Sequence, residues 1–132
     1  MANPPLISIV DDDNSVRESL QSLMRSVGFA VRIFASAEEF LNWDHQRDTD
    51  CLILDVRMPG MSGIELQRHL MASHYEIPII FITAHASEQE VRSLALRNGA
   101  VDYLAKPLSE DALLNAVHLA LNGKDIRQSE RE

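Results

Sequence analysis

The stretch Cys51-Leu52-Ile53-Leu54-Asp55 places four apolar residues directly before a carboxylate, and Pro59 and Gly60 follow within a few residues. A continuous apolar run bounded by turn-forming residues is typical of a strand that is covered on both faces. We therefore predict a buried strand over residues 51–55. Asp55 is expected at the end of this strand, where the chain returns to the surface.

A second run, Leu6-Ile7-Ser8-Ile9-Val10, has the same form and also ends in acidic residues. Residues 6–10 and 51–55 are the predicted strands 1 and 3, and three more strands are predicted over residues 30–34 (strand 2), 77–83 (strand 4) and 101–105 (strand 5). Strands 1, 3 and 4 are nearly all apolar, which predicts central positions in a sheet, whereas strands 2 and 5 carry polar residues and are expected at its edges.

Helical patterns fill the intervals between the strands. Apolar residues from Val16 to Val27 recur at steps of three and four, and Gly28 ends this first helix. The fifth helix is predicted from about Ser109 to Leu121, where Asn122-Gly123 stop it. Each of the other three begins with the capping-box pattern of a hydroxyl followed three residues later by an acid, at Ser36/Glu39, Ser62/Glu65 and Ser87/Glu90.

Five β-α units in strict alternation predict a parallel sheet with helices on both faces. With right-handed crossovers, the strand polarities give the order 2-1-3-4-5, which is that of the flavodoxin-like, doubly wound α/β fold. Ligands bind such sheets outside the carboxyl ends of the strands, where the winding reverses. Here that crevice lies between strands 1 and 3, beside Asp11, Asp12 and Asp55.

Composition narrows the class of protein. A chain of 132 residues is long enough for one domain with its own core. The net charge of −8 argues against direct binding of nucleic acid, which needs a basic face. The lone cysteine, Cys51, fits a reducing compartment, and neither a membrane-length apolar stretch nor a secretory signal is evident. We therefore expect a cytoplasmic protein without a membrane partner.

Five polar side chains are predicted to share the carboxyl edge of the sheet. Carboxylates clustered at the mouth of an apolar core repel one another unless a cation is present. Ligands that are all oxygen suit a hard cation, and a few carboxylates with water suit Mg²⁺. These side chains are Asp11, Asp12, Asp55, Thr83 and Lys106.

A carboxylate at such a site can act as a nucleophile toward phosphorus and form an aspartyl phosphate. This reaction depends mainly on positioning and charge neutralisation. We predict that Asp55 accepts the phosphoryl group with Mg²⁺ bridging it to the phosphoryl oxygens. Lys106 would neutralise a second oxygen, and Thr83 would donate a hydrogen bond to a third.

These residues match a family. The chain resembles the receiver domain of bacterial two-component response regulators, which has a CheY-like fold. The resemblance implies that Asp55 is the phosphoacceptor and that Thr83 and Lys106 hold the phosphoryl group. The matching segments are Ile9-Val10-Asp11-Asp12, Leu54-Asp55-Val56-Arg57-Met58-Pro59, Ile82-Thr83-Ala84 and Lys106-Pro107.

The resemblance also implies a metal site and a conformational switch. Asp12, Asp55 and the backbone carbonyl of Arg57 would bind Mg²⁺ directly, and Asp11 would act through water. Tyr103 matches an aromatic residue that changes rotamer together with the residue at Thr83, and the Lys106-Pro107 bond is expected to be cis.

Within the family, the segments 55–63 and 83–85 look most like the FixJ-type branch, whose members carry a LuxR-type DNA-binding output domain. This implies a transcription-regulating switch rather than a free-standing enzyme. It would be phosphorylated by a sensor histidine kinase, would change its helix 4–strand 5 face, and would dimerise there. Residues 1–123 are predicted to form the receiver domain. Residues 124–132 are predicted to be a polar tail, or the start of a linker to an output domain that is not present here and through which alone DNA would be bound.

Several residues have alternative interpretations. The third acid, Asp13, makes the register of the metal ligands ambiguous, and all three acids could instead favour a helix N-terminus. Tyr103 could be ordinary packing in an edge strand. Arg57 and His85 flank the acceptor and could either modulate the lifetime of the phosphate or be solvated surface residues.

Three other functions each conflict with a feature of the sequence. A phosphatase of the haloacid dehalogenase type would need a second aspartate where Arg57 stands. A flavin-binding module would need a loop rich in Ser, Thr or Gly after strand 1, and that loop is acidic. A degenerate receiver that acts only through protein interaction would have lost some of the five polar side chains, and all five are present.

Overall fold

The computed structural model describes residues 3–131, and their side chains as far as residue 123. Strands and helices alternate along the whole chain. In order they are β1 (Leu6–Val10), α1 (Asn14–Ser26), β2 (Ala30–Phe34), α2 (Ala37–Asn42), a short 3-10 helix (Gln46–Asp48), β3 (Cys51–Asp55), α3 (Gly63–Ala72), β4 (Ile79–Thr83), α4 (Gln89–Arg97), β5 (Asp102–Ala105) and α5 (Glu110–Arg131).

The five strands form one parallel sheet in the order β2-β1-β3-β4-β5, which confirms the predicted topology and fold class. Every residue of β3 and β4 is buried, whereas β2 and β5 are partly exposed. The register aligns the strand ends, because Asp55 lies beside Ile82 and Thr83 lies beside Ala105. The carboxyl ends of the central strands therefore meet at one edge.

The core lies on both faces of the sheet, as alternation along buried strands requires. In β3, Leu52 and Leu54 face the side covered by α2, α3 and α4, while Cys51 and Ile53 face the side covered by α1 and α5. The Cys51 side chain is fully buried in this second layer. The prediction that it belongs to the core is confirmed.

Two of the three predicted capping boxes have their serine cap, although the reciprocal hydrogen bond from the N-cap N–H to the acid is not formed in either. The hydroxyls of Ser36 and Ser62 each accept a hydrogen bond from the backbone N–H three residues later, at 3.1 Å in both cases. The third prediction is wrong. α4 begins after Glu88 rather than Ser87, and no side chain caps it, because the Glu88 carboxylate is bound by Arg57 instead.

The predicted bounds of the two last strands are slightly too wide. β4 begins at Ile79 rather than residue 77, and β5 begins at Asp102 rather than residue 101. Pro78 has no N–H to donate, but its carbonyl accepts a hydrogen bond from the Leu52 N–H at 2.9 Å. The proline therefore lies just outside the strand and joins the sheet through one group only.

The prediction that Asn122-Gly123 stop the fifth helix is also wrong, because α5 continues to Arg131. A glycine within a helix costs only about 1 kcal/mol relative to alanine, and the lysine, arginine, glutamine and glutamate residues that follow favour helix. The segment 124–131 is thus helical rather than a frayed end. The domain boundary at residue 123 stays a prediction. Across residues 3–131, no helix combines the length and the apolar character needed to cross a membrane.

Candidate functional site

Three aspartates come together at the carboxyl edge of the sheet. Asp11 directly follows β1 and is fully buried, Asp55 ends β3 with 5% exposure, and Asp12 is exposed beside them. One carboxylate oxygen from each lies within 4.8 Å of the other two. These oxygens are the type of donor that Mg²⁺ prefers, so this cluster fits a metal site.

Lys106 brings a positive charge to the same cluster. Its Nζ atom lies 2.8 Å from Oδ2 of Asp11 and 3.6 Å from Oδ1 of Asp55. The Lys106 N–H donates a hydrogen bond to the Thr83 carbonyl at 2.8 Å, which fixes its backbone beside the end of β4. The bond from Lys106 to Pro107 is cis, as expected. One ammonium group faces three carboxylates, so the cluster carries an excess of negative charge.

The imbalance is expressed in the pKa values. Burial raises the pKa of Asp55 to about 7, and the negative charges of Asp11 and Asp12 add to this against the opposing effect of Lys106. Burial by itself would lower the pKa of Lys106, but the hydrogen bond and charge of Asp11, together with Asp55, leave it raised. An added cation would offset the carboxylate repulsion that, after burial, contributes to the raised pKa of Asp55, which is a second reason why the residues fit a metal ion.

Asp13 points away from this cluster. Its carboxylate accepts hydrogen bonds from the backbone N–H groups of Ser15 at 2.8 Å and Val16 at 3.3 Å, which makes it the N-cap of α1. Its own N–H donates to Oδ1 of Asp11 at 2.8 Å. The helix-cap interpretation therefore applies to Asp13, while Asp11 and Asp12 lie next to Asp55, as the predicted register requires.

Thr83 ends β4 and is 1% exposed. Its hydroxyl oxygen accepts a hydrogen bond from the His85 N–H at 2.9 Å, which leaves the hydroxyl proton for another acceptor. His85 itself is exposed at the surface of this loop. The structure thus places Thr83 at the predicted edge of the sheet.

Tyr103 lies in β5 with its ring inside the protein, at 3% exposure. The ring is tilted against Phe81 with 6.2 Å between centroids, and the phenol oxygen makes no well-formed hydrogen bond within the described part of the chain. Burial raises its pKa, against a smaller opposing effect of the neighbouring Thr83 hydroxyl. A buried hydroxyl without a firm partner is unfavourable, so this side chain is poorly satisfied where it lies.

Two features around the site were not predicted from the sequence. Arg57 forms an ion pair with Glu88, although 31 positions separate them. Gly63 packs so closely on the strand end that a Cβ atom there would lie 2.2 Å from the Asp55 carbonyl oxygen. The Ser62-Gly63 pair at the start of a helix was the only sequence signal for the close packing of Gly63. No sequence signal pointed to the ion pair between Arg57 and Glu88.

Comparison with known proteins agrees with this geometry. The family model described as "Response regulator receiver domain" matches residues 7–118. TmoT of Ectopseudomonas mendocina, a response regulator protein, is 49% identical over 116 residues, which are 88% of this chain and 52% of TmoT. The transcriptional regulatory protein FixJ of Azorhizobium caulinodans is 38% identical over 126 residues, which are 96% of this chain and 59% of FixJ.

The fold is equally similar to solved structures. The response regulator StyR superposes with a TM-score of 0.87 and 47% sequence identity, over 97% of this chain and 64% of the StyR chain. The chain spans about half the length of the curated relatives that it matches.

Proposed function

The chain belongs to the response regulator receiver domain family, with the FixJ-like regulators among its relatives, and we propose that it is the phosphoacceptor switch of a two-component system. Asp55 would receive a phosphoryl group from a sensor histidine kinase. The observation that carries this proposal is the convergence of Asp11, Asp12 and Lys106 on Asp55 at the carboxyl edge of the sheet. This proposal excludes a haloacid dehalogenase-type phosphatase and a flavin module.

The transfer requires Asp55 as an anion. A carboxylate oxygen attacks phosphorus, the bond from phosphorus to the histidine nitrogen of the donor breaks, and the electron pair stays with that nitrogen. Asp12, Asp55 and the Arg57 backbone carbonyl would hold Mg²⁺, with Asp11 acting through water, and the ion would supply positive charge for the phosphoryl oxygens. Lys106 supplies a second positive charge for one phosphoryl oxygen, and the Thr83 hydroxyl donates a hydrogen bond to another.

Phosphorylation changes the charge at Asp55 from −1 to roughly −2 and adds acceptor oxygens. Those oxygens would draw in Thr83, and the space that Thr83 leaves would be filled by Tyr103, whose hydroxyl already lies inside the protein. The surface formed by α4 and β5 would change and promote homodimerisation. Arg57 and His85 would modulate the phosphate lifetime by admitting or excluding water.

We further propose that this switch acts in the cytoplasm and controls DNA only through an output domain. Its relatives include a transcriptional regulatory protein of which the matched residues cover only 59%. The domain would catalyse its own phosphorylation and dephosphorylation without being a free-standing enzyme.

The first test is incubation with acetyl phosphate, with and without Mg²⁺, followed by intact-mass measurement. We expect one phosphoryl adduct that needs Mg²⁺, is labile to hydroxylamine and maps to Asp55. Asp55→Asn should give no adduct, whereas the matched control Asp13→Asn should be labelled like the wild type. Absence of an adduct in the wild type, with no Mg²⁺ binding, would support a degenerate receiver and contradict the proposal.

A further inference from the structure

The ion pair between Arg57 and Glu88 joins two segments that the proposed function treats separately. Arg57 lies two residues after the acceptor Asp55, and its Nη2 atom contacts Oε1 of Glu88, the residue that directly precedes α4. The hydrogen bond between the two side chains raises the pKa of Arg57 and lowers that of Glu88. The loop that follows the acceptor, which contains Arg57, is therefore connected to the start of α4 by an ion pair.

This connection matters because α4 is thinly packed. Ala95 is the one side chain of the helix Gln89–Arg97 that is fully buried. No side chain caps its N-terminus, so its first N–H groups have no side-chain acceptor. A second polar contact, from Arg92 Nη1 to the Tyr103 carbonyl at 3.3 Å, ties the first turns of α4 to β5. These polar contacts therefore hold this end of α4 together with Val91, which is only partly buried where it packs against the core.

We propose that Glu88 is a positioning residue for Arg57 and that their ion pair is a latch between the phosphorylation site and α4, which opens when Asp55 is phosphorylated. This inference rests on the proposed function. A guanidinium group binds phosphate oxygens in the same bidentate manner as carboxylate oxygens, and a phosphoryl group on Asp55 would present them two residues away. The phosphoryl group therefore competes with Glu88 for Arg57.

Release of Arg57 would leave each charge in a favourable environment. Arg57 would gain the phosphoryl oxygens, and the Glu88 carboxylate would stay at the N-terminus of α4, where the helix dipole stabilises a negative charge. The two arrangements thus give the latch two alternative sets of charge contacts. Because the pair is exposed on the surface, with 55% exposure of the Arg57 side chain, neither arrangement requires a change in the core.

The latch also lies close to Tyr103. Arg57 and Glu88 both affect the ionisation of its buried hydroxyl, in opposite directions, and the Arg92 guanidinium lies 5.8 Å from its ring centroid. Opening of the latch would therefore change the electrostatic environment of Tyr103, the same side chain that is proposed to move when Thr83 moves. The structure thus provides a second connection from Asp55 to the α4–β5 face, through surface charges.

The test follows the Arg57 side chain by nuclear magnetic resonance. The Nε–H signal is assigned by its loss in Arg57→Lys and recorded before and after phosphorylation by acetyl phosphate with Mg²⁺. In the wild type, we expect it to shift on phosphorylation. In Glu88→Gln, we expect the Nε–H of the unphosphorylated protein to exchange with water about two- to fivefold faster, the range for loss of an exposed ion pair. The phosphorylated signals of the two proteins should coincide.

The matched control is Glu90→Gln, which removes the same charge from the first turn of α4 and should behave like the wild type at every step. The latch is refuted if the wild-type Arg57 signal does not move while intact mass shows full phosphorylation. It is also refuted if the Glu88→Gln and wild-type signals differ as much after phosphorylation as before. A lack of any adduct in all variants would instead overturn the proposed function, and the latch with it.

Discussion

At the scale of single residues, the site is defined by how each carboxylate is satisfied. Asp13 is engaged by helix N–H groups, Asp11 by Lys106, and Asp55 is left with a pKa raised to about 7 by burial and by its acidic neighbours. An acid with a raised pKa is destabilised when it ionises in the folded state. The carboxylates of the site therefore repel one another in the folded protein, and a bound cation would reduce this repulsion.

The pH dependence of stability follows from Asp55. Its pKa in the folded protein, about 7, lies above the unfolded value of roughly 3.9, so the folded state binds the proton more tightly and loses stability as pH rises between these values. We expect Asp55→Asn, in EDTA, to raise the free energy of unfolding more at pH 8 than at pH 5. After a discount for solvent screening the difference should be about 1–2 kcal/mol.

Thermal or urea unfolding at the two pH values measures this difference. Addition of Mg²⁺ at pH 8 should stabilise the wild type and leave Asp55→Asn nearly unchanged. An equal gain from Asp55→Asn at both pH values would show that the carboxyl group is not destabilised in the folded protein.

Asp12 and Asp13 should have opposite effects when each is replaced by alanine. Asp12→Ala should weaken Mg²⁺ binding at least tenfold in a calorimetric titration without lowering stability, because its carboxylate belongs to the cluster and repels Asp55 there. Asp13→Ala should bind Mg²⁺ like the wild type and lose about 1 kcal/mol of stability with its cap. Equal losses of Mg²⁺ affinity would overturn the proposed ligand register.

At the scale of elements, the site depends on how closely helices approach the strand ends. α3 begins at Gly63, against the carbonyl of Asp55, and the Gly63 N–H donates a hydrogen bond to the Val56 carbonyl at 2.9 Å. At the start of α4, Glu88 and Arg92 make polar contacts to Arg57 and to β5, in addition to the apolar packing of Val91 and Ala95. Steric fit therefore places the start of α3 at the site, and charged side chains connect the start of α4 to it.

Gly63→Ala tests the steric fit. The added methyl group would lie 2.2 Å from the Asp55 carbonyl oxygen, a backbone atom that cannot rotate away, so the loop before α3 must shift. We expect a loss of about 2 kcal/mol in stability, typical of overpacking, and weaker Mg²⁺ binding. Gly28→Ala is the control, because its Cβ would meet no atom within 4 Å, although its φ of +95° is strained for alanine. Gly28→Ala should lose stability without losing Mg²⁺ affinity, and the same pattern in Gly63→Ala would contradict the steric argument.

At the scale of the whole molecule, the sheet separates two helical layers with different roles. α1 and α5 cover one face and α2, α3 and α4 cover the other, each with its own buried apolar cluster. A signal that begins at Asp55 can reach the surface of α4 and β5 through Thr83, Tyr103 and α4 without crossing the sheet. The proposed dimer face is thus on the same side of the sheet as Tyr103.

Leu96 and Val27 provide a matched pair for the dimer face. Leu96 lies on α4 and is 36% exposed, and Val27 follows α1 in the opposite layer and is 45% exposed. We expect Leu96→Glu to be phosphorylated normally but to remain monomeric, as measured by size-exclusion chromatography with light scattering. Val27→Glu should dimerise on phosphorylation like the wild type. Dimerisation of phosphorylated Leu96→Glu would exclude the α4–β5 face.

Most of the architecture could be predicted from local patterns. The apolar runs at 6–10 and 51–55 predicted buried strands, and their alternation with helical patterns predicted a parallel sheet, because burial and periodicity depend on near neighbours in sequence. The polarity of the strands, with right-handed crossovers, predicted their order. The cluster of Asp11, Asp12, Asp55 and Lys106 followed, since parallel strands end at one edge. The helix boundaries at Glu88 and Gly123 were missed, because an ion pair and the flanking helix formers outweighed the local stop and cap signals.

The order of the amino acids does not determine which of several possible partners each charged side chain contacts. Asp12 and Asp13 are chemically identical neighbours, and only the folded backbone directs one carboxylate into the cluster and the other onto α1. Arg57 meets Glu88 because β3 and β4 lie side by side, and no spacing rule links positions 31 apart. Residue types and their periodicity thus specified the fold and the chemistry of the edge. Tertiary structure decided which charges pair, because electrostatic interaction depends on distance and burial rather than on sequence separation.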